Sequence, residues 1–460
     1  MTEEPFSGTD KILSSDVAGE AADIKTWQTV LVGITLAVIL AATLLYHFQL
    51  IRAPYALDSA EPAEAFIARG VAANVPFNDP DTLPEYSEAY GPIYMGITGT
   101  LCRFGIACDL QGQRALCALF LTGILALVLL VCRRLRIPWL ETFCAVLWAY
   151  EMLLINVTPI SRPGALGTLF WLAALAVPFL AGYSVVSIIV AALFTALATF
   201  SKLYFLSAAG YLGAVLLWQH RNRLWVYLGS LALFFAAFGV WTNHWLPFLP
   251  YESVLVQLNS GPGDYSYTVF QLKTMIRYFP LLGAALLLFP FVRRKNRGEG
   301  MEWLLYGAFG LFLFVAFMGS SVGGRYTYFI QLVALPLVPF TALAMHRLAK
   351  PRLFAVALLL LSAAWVFRCV EKTDFAPNSE CTLVWRGCDA LVGAAEHPFV
   401  DENLAPSLMR RGIPVLDTGM CKWFLNATYA NGRLRKWFPL AEVMAQRYQR
   451  WLLKCRAKEA

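Results

Sequence analysis

Apolar runs of roughly 20 residues, the length that crosses a bilayer, recur along the chain with short polar connectors between them. The first extends from Trp27 to about His47. The others cover roughly 114–132, 139–157, 165–182, 184–201, 204–219, 224–242, 274–292, 302–319, 327–345 and 353–368. This pattern predicts an α-helical polytopic membrane protein with about eleven transmembrane helices. The segment before Trp27 holds Glu3, Glu4, Asp10, Asp16, Glu20 and Asp23 against Lys11 and Lys25. A cleaved signal begins basic and has a shorter apolar region, so the first run reads as a retained anchor.

Composition narrows the classes. With 58% hydrophobic and 15% charged residues, the chain is too apolar for a series of soluble domains, and its 14% aromatic content excludes disorder. The net charge of +7 changes meaning once it is placed. Alternate short connectors hold Arg133, Arg134 and Arg136; Arg221 and Arg223; Arg293, Arg294, Lys295 and Arg297; Arg347, Lys350 and Arg352. Such loops mark the cytoplasmic side, so the charge sets orientation and nucleic acid is not an expected partner. The expected organisation is a cytoplasmic tail at 1–26, a membrane domain at 27–368 and an outer C-terminal region at 369–460. Loops at about 48–112 and 243–273 face the same outer side. No G-x-x-x-x-G-K-[ST] run or internal repeat occurs, which argues against cytoplasmic nucleotide chemistry and a repeat-built transporter. Cys102–Cys108 and Cys381–Cys388 are short-loop disulfide candidates, and no Cys or His spacing suits zinc.

Charged groups on the outer side are the candidate chemistry, because ionisable groups at membrane depth are costly. Asp58 and Glu61 stand three residues apart at the start of the first outer loop, on one face if the turn is helical. Ala65, Phe66, Ala68 and Arg69 then predict a short amphipathic helix along the membrane surface. A carboxylate there suits proton removal from a sugar hydroxyl; the same two acids would also suit a shared divalent cation. Asp79-Pro80-Asp81 reads as a turn. Lys202, Arg325 and Arg162 lie near outer span ends, where each is suited to a lipid phosphate. Glu151 falls within the third span, as a partner for Arg162 or Lys202. Tyr265 and Tyr267 in the second outer loop can stack on a sugar ring. The five histidines stand singly and read as structural.

Several of these pieces resemble the GT-C superfamily of polytopic glycosyltransferases, which includes lipid A aminoarabinose transferases and bacterial enzymes like protein O-mannosyltransferases. The resemblance is carried by Asp58 with Glu61 after the first span, Tyr90-Gly91-Pro92 and Arg114. Further pieces are Ser161-Arg162-Pro163, Phe200-Ser201-Lys202, the run Gly323-Gly324-Arg325-Tyr326-Thr327-Tyr328-Phe329, and Arg411-Gly412-Ile413-Pro414-Val415-Leu416-Asp417. Two departures stand out. Ser59 and Ala60 separate acids that relatives often place side by side, and Gly164 stands where an Asp often follows Arg-Pro. Glu61, Glu88 or Glu151 would have to supply that missing acid.

The resemblance implies a GT-C-like fold with a small mixed α/β outer region at the C-terminus, in a bacterial inner membrane. It also implies transfer of a sugar from a polyprenyl-phosphate donor to a hydroxyl of a glycolipid, polysaccharide or protein. Asp58, with Glu61, would be catalytic; Lys202, Arg325 and Arg162 would hold the donor phosphate; Tyr90, Glu88, Glu151, Tyr265 and Tyr267 would contact substrate. The competing readings are a lipid or polysaccharide transporter and a non-catalytic relative of the same fold.

Overall fold

The computed structural model describes residues 26–54, 57, 61–75, 90–156, 160–245, 265–278, 300–318 and 326–347, and among these all regular structure is helical. The expected runs reappear as α1 (Thr26–Arg52), α4 (Leu110–Arg134), α5 (Trp139–Asn156), α6 (Pro163–Leu180) and α7 (Val185–Ser201). Between the first two lie α2 (Glu61–Ala72) and α3 (Pro92–Arg103), both too short to cross a bilayer. After α7, a 3-10 turn at Leu203–Leu206 leads into α8 (Ser207–Gln219), followed by α9 (Arg221–Trp245).

Local chemistry sets the boundaries. Asp109 caps α4 by accepting from the Gly112 N–H at 2.7 Å, and Arg133 and Arg134 place positive charge in its last turn, where the helix dipole favours it. Pro92 opens α3 and Pro163 opens α6, where a missing N–H costs nothing. The closely spaced α6 and α7 are joined by a turn through Gly182 and Tyr183, and Ser184 caps the second helix.

Two expected runs differ in form. The run at 327–345 is split into α12 (Tyr326–Ala334) and α13 (Leu337–Arg347), because Pro336 cannot continue the first helix. The run at 274–292 is described only at its start, within α10 (Tyr265–Tyr278), which begins inside the expected loop. Its buried Thr268, Gln271 and Met275 recur at helical spacing, a periodicity that continuous hydropathy does not register. The remaining helix, α11 (Met301–Leu313), runs on into a π turn at Phe314–Met318. The 353–368 run, the 1–25 portion of the tail and the whole 369–460 region lie outside the described residues.

The interior is built around α4, α6 and α7, with α9 against α7 and α11 to α13 closing the far side. Close approach is set by small residues. A Cβ on Gly310 would stand 2.3 Å from the Tyr211 hydroxyl oxygen and 2.6 Å from the Leu332 carbonyl oxygen, so α11 meets the backbone of α12 and the Tyr211 side chain of α8 there. The outward faces of α1 and α9 are apolar, with Val30, Ile34, Val38, Trp225, Leu233 and Val240 exposed. Among the described residues, α1 from Val30, α4, α6 and α9 to Trp241 are long and apolar enough to cross a membrane. Together these features make the chain a multi-pass membrane protein.

The helix expected at the membrane surface is more enclosed than its pattern suggested. In α2, Ala65, Ile67 and Ala68 are fully buried, and so are the carboxylates of Glu61 and Glu64. The reason is tertiary: α2 packs between α3 and α4. Arg69 Nε donates to the Cys108 carbonyl at 2.7 Å, Arg103 donates to Asn74 Oδ1, and a Cys102–Cys108 disulfide closes the turn between α3 and α4. Cys381 and Cys388 lie outside the described residues.

Candidate functional site

Glu61 opens α2, and its carboxylate is the meeting point of four chain segments. Arg114 in α4 grips it with both arms, Nε to Oε1 at 3.0 Å and Nη2 to Oε2 at 2.6 Å. The Ser161 N–H donates to Oε1 at 2.7 Å, and the Leu57 N–H donates to Oε2 at 2.7 Å. Arg114 Nη1 then reaches the Ala53 carbonyl at 2.7 Å, at the end of α1. Both side chains are fully buried. A carboxylate offers about four acceptor positions, and here all are filled by N–H donors. Every acceptor position of the Glu61 carboxylate is thus engaged within the chain. Among the described residues, no group of three or more His, Cys, Asp or Glu is placed to hold a metal.

The second cluster forms where α7 ends. Lys202 terminates the helix in an extended conformation, and its Nζ lies 4.3 Å from the Tyr90 ring centroid and 5.1 Å from that of Tyr204. The backbone builds this contact: the Gly91 N–H donates to the Ser201 carbonyl at 3.2 Å. Any side chain at 91 would drive its Cβ to 1.8 Å from the Phe200 carbonyl oxygen, so only glycine admits the approach. Tyr204 is in turn held by Gln331 of α12, whose Nε2 donates to the phenol oxygen at 3.1 Å. Two short motifs separated by more than a hundred positions, Tyr90-Gly91-Pro92 and Phe200-Ser201-Lys202, thus form one structure. Lys202 is only 6% exposed, and aromatic faces stabilise a cation in such a place.

A polar network extends from the first cluster to α3, the helix that begins just after Tyr90-Gly91. Gln113, next to Arg114, accepts at Oε1 from Ser161 Oγ at 2.5 Å and from the Tyr94 hydroxyl at 3.5 Å. Burial pushes the Tyr94 phenol well above its ordinary pKa, with Cys117 and the Glu64 charge adding to it. Tyr94 therefore stays a neutral donor. The Cys117 thiol contacts the Arg162 carbonyl at 3.8 Å, which sets the first turn of α6 beside the same cluster.

Of the residues singled out in the sequence, Glu61, Tyr90, Arg162 and Lys202 are thus linked through this one region. Glu151 is fully enclosed in α5, a helix that packs on α1, α4, α12 and α13. Asp58, Glu88 and Arg325 lie outside the described residues; Asp58 follows the Leu57 that Glu61 holds, and Arg325 precedes α12. Tyr265 and Tyr267 belong to α10, with only their backbone described. The sequence reading passed over Gln113, Tyr94, Glu64, Tyr204 and Gln331. Polar side chains at the start of an apolar helix (Gln113) or within one (Gln331) were the available signal.

By sequence, no protein-family model and no curated protein matches the chain. By structure, it is similar to the crystal structure of ArnT from Cupriavidus metallidurans bound to undecaprenyl phosphate. That likeness has a TM-score of 0.53 and 18% identity, covering 91% of this chain and 78% of the other. The same enzyme in the apo state gives a TM-score of 0.54 at 18% identity, covering 88% and 76%. The described helices therefore share the fold of these ArnT structures.

Proposed function

We propose that the chain is an integral-membrane glycosyltransferase that takes a sugar from a polyprenyl-phosphate donor and transfers it to an acceptor hydroxyl on the outer face. The observation that carries this reading is the Lys202 amine, buried against two tyrosine rings at the end of the apolar helix α7, in a fold shared with ArnT bound to undecaprenyl phosphate. A cation in a largely dehydrated place is a strong partner for a lipid phosphate. Arg162 and Arg325 would complete the phosphate site.

The chemistry needs one proton removed and one leaving group stabilised. The acceptor oxygen bonds to the anomeric carbon and gives its proton to Asp58. The bond from that carbon to the phosphate oxygen breaks on the opposite face, inverting the anomer. The electron pair passes to the lipid phosphate, where Lys202 offsets the growing charge. Glu61 serves this reaction indirectly: it grips the N–H of Leu57, the residue that precedes Asp58 in the chain. Its filled acceptor positions suit it to that positioning role rather than to proton transfer.

The test is sugar transfer by the purified protein from undecaprenyl-phosphate-linked sugars. Asp58→Asn should lower the rate about 100-fold or more, the range of a general base, while donor binding persists. Unchanged turnover in that variant would remove Asp58 from the mechanism. Uptake of labelled lipid across proteoliposomes without any transfer would support the transporter reading instead.

A further inference from the structure

The turn between α3 and α4 is short, tied down and apolar at its tip. Phe104 is 76% exposed and Ile106 54% exposed, although the backbone beneath them is fixed. Their N–H groups both donate to the Leu101 carbonyl at 3.0 Å. Gly105 and Ala107 take positive φ of 75° and 57°, and an alanine holds that conformation only where its surroundings impose it. Cys102 and Cys108 close the turn as a disulfide. Two ties bind it to α2: Arg69 donates to the Cys108 carbonyl at 2.7 Å, and Arg103 to the Val71 carbonyl at 3.1 Å. A turn held this firmly cannot fold its tip back into the protein, and leaving Phe and Ile in water forfeits the free energy of burying them.

Depth identifies what covers the tip. The turn folds back on α4: a Cβ on Gly112, in the first turn of that helix, would stand 2.9 Å from the Ala107 Cα. Gln111, beside it, donates to the Arg52 carbonyl at 2.9 Å. Arg52 ends α1 with its guanidinium over the ring of the exposed Phe48, the pattern of a cation at a lipid–water boundary. The 25 residues of α4 extend about 37 Å by helical rise, enough to cross a hydrocarbon layer of about 30 Å, and Arg133 and Arg134 occupy its far end. The first turn of α4, and the tip folded against it, therefore lie at the boundary of one leaflet. From there an exposed stripe continues along the helix through Ala115, Leu119, Thr122, Ala126 and Leu130.

We propose that the 104–106 turn is a membrane-anchoring wedge, with Phe104 and Ile106 seated among the lipids of the leaflet at which α4 begins. It takes over the contact expected of α2, whose apolar Ala65, Ile67 and Ala68 are buried within the protein. Because Arg69 and Arg103 tie the turn to α2, the wedge fixes the height of that helix relative to the bilayer, and with it the Glu61 carboxylate at its start.

The test uses the full chain in lipid nanodiscs. Hydroxyl-radical oxidation of the unaltered protein, normalised to the unfolded chain, should be as slow at Phe104 as at Phe205, which the protein buries completely. A benzophenone photolabel in place of Phe104, and separately of Ile106, should give lipid adducts on irradiation at a yield like that of the same label at Leu119. Oxidation of Phe104 at the rate of the unfolded chain overturns the wedge. So does loss of lipid adducts at both positions while Leu119 still forms them. Crosslinking of either label to a second protein chain in place of lipid also overturns it, and marks the tip as a protein interface.

Discussion

Two buried cations lie in the same region of this protein and are held in opposite ways. Arg114 is bound by a carboxylate and backbone carbonyls, and the carboxylate it grips is itself filled by two further N–H groups. Lys202 lies against the faces of Tyr90 and Tyr204. Rings attract a cation through their faces rather than through directed hydrogen bonds. The first arrangement uses up directional hydrogen-bonding capacity and fixes four segments in register. The second offsets part of the cost of burial through ring faces. Sequence position alone ranks both as costly charges at membrane depth; their partners distinguish a strut from a cation cradled by rings.

Removing the guanidinium should have the largest effect on stability. Arg114→Met leaves Glu61 buried with an uncompensated charge, and breaking such a pair costs about 3–5 kcal/mol. Thermal unfolding in detergent should show a markedly lowered midpoint, with Glu61→Gln in the same chain restoring part of it. A midpoint equal to the wild type would mean the knot is not a strut. Gly91→Ala comes next. Its Cβ would meet the Phe200 carbonyl, and relieving such overpacking costs about 1–3 kcal/mol. It would also pull Tyr90 from Lys202, so donor affinity should fall along with stability. A Gly91→Ala protein as stable and as tight-binding as the wild type would break the link between the two motifs.

What could be read from the sequence and what could not follows from the range of each interaction. A bilayer imposes its length on each segment separately, so α1, α4 to α9 and the α12–α13 pair were readable from local runs. The break at Pro336 and the early start of α10 were blurred, because hydropathy averages over a window. Lys202 and Tyr90 were both recognisable as candidates, yet their contact depends on one glycine meeting a carbonyl of another helix. Glu61 was ambiguous for a related reason: two of its four donors are backbone N–H groups of Leu57 and Ser161, which no residue type announces.

The central claim is that the Lys202 amine is a phosphate-binding group, and binding of undecaprenyl phosphate to folded Lys202→Met protein tests it most directly. Hydrogen bonds to charged groups are worth about 1.5–3 kcal/mol, so affinity should fall about 10- to 100-fold while the unfolding midpoint stays near that of the wild type. Affinity equal to the wild type in that folded variant would contradict the account.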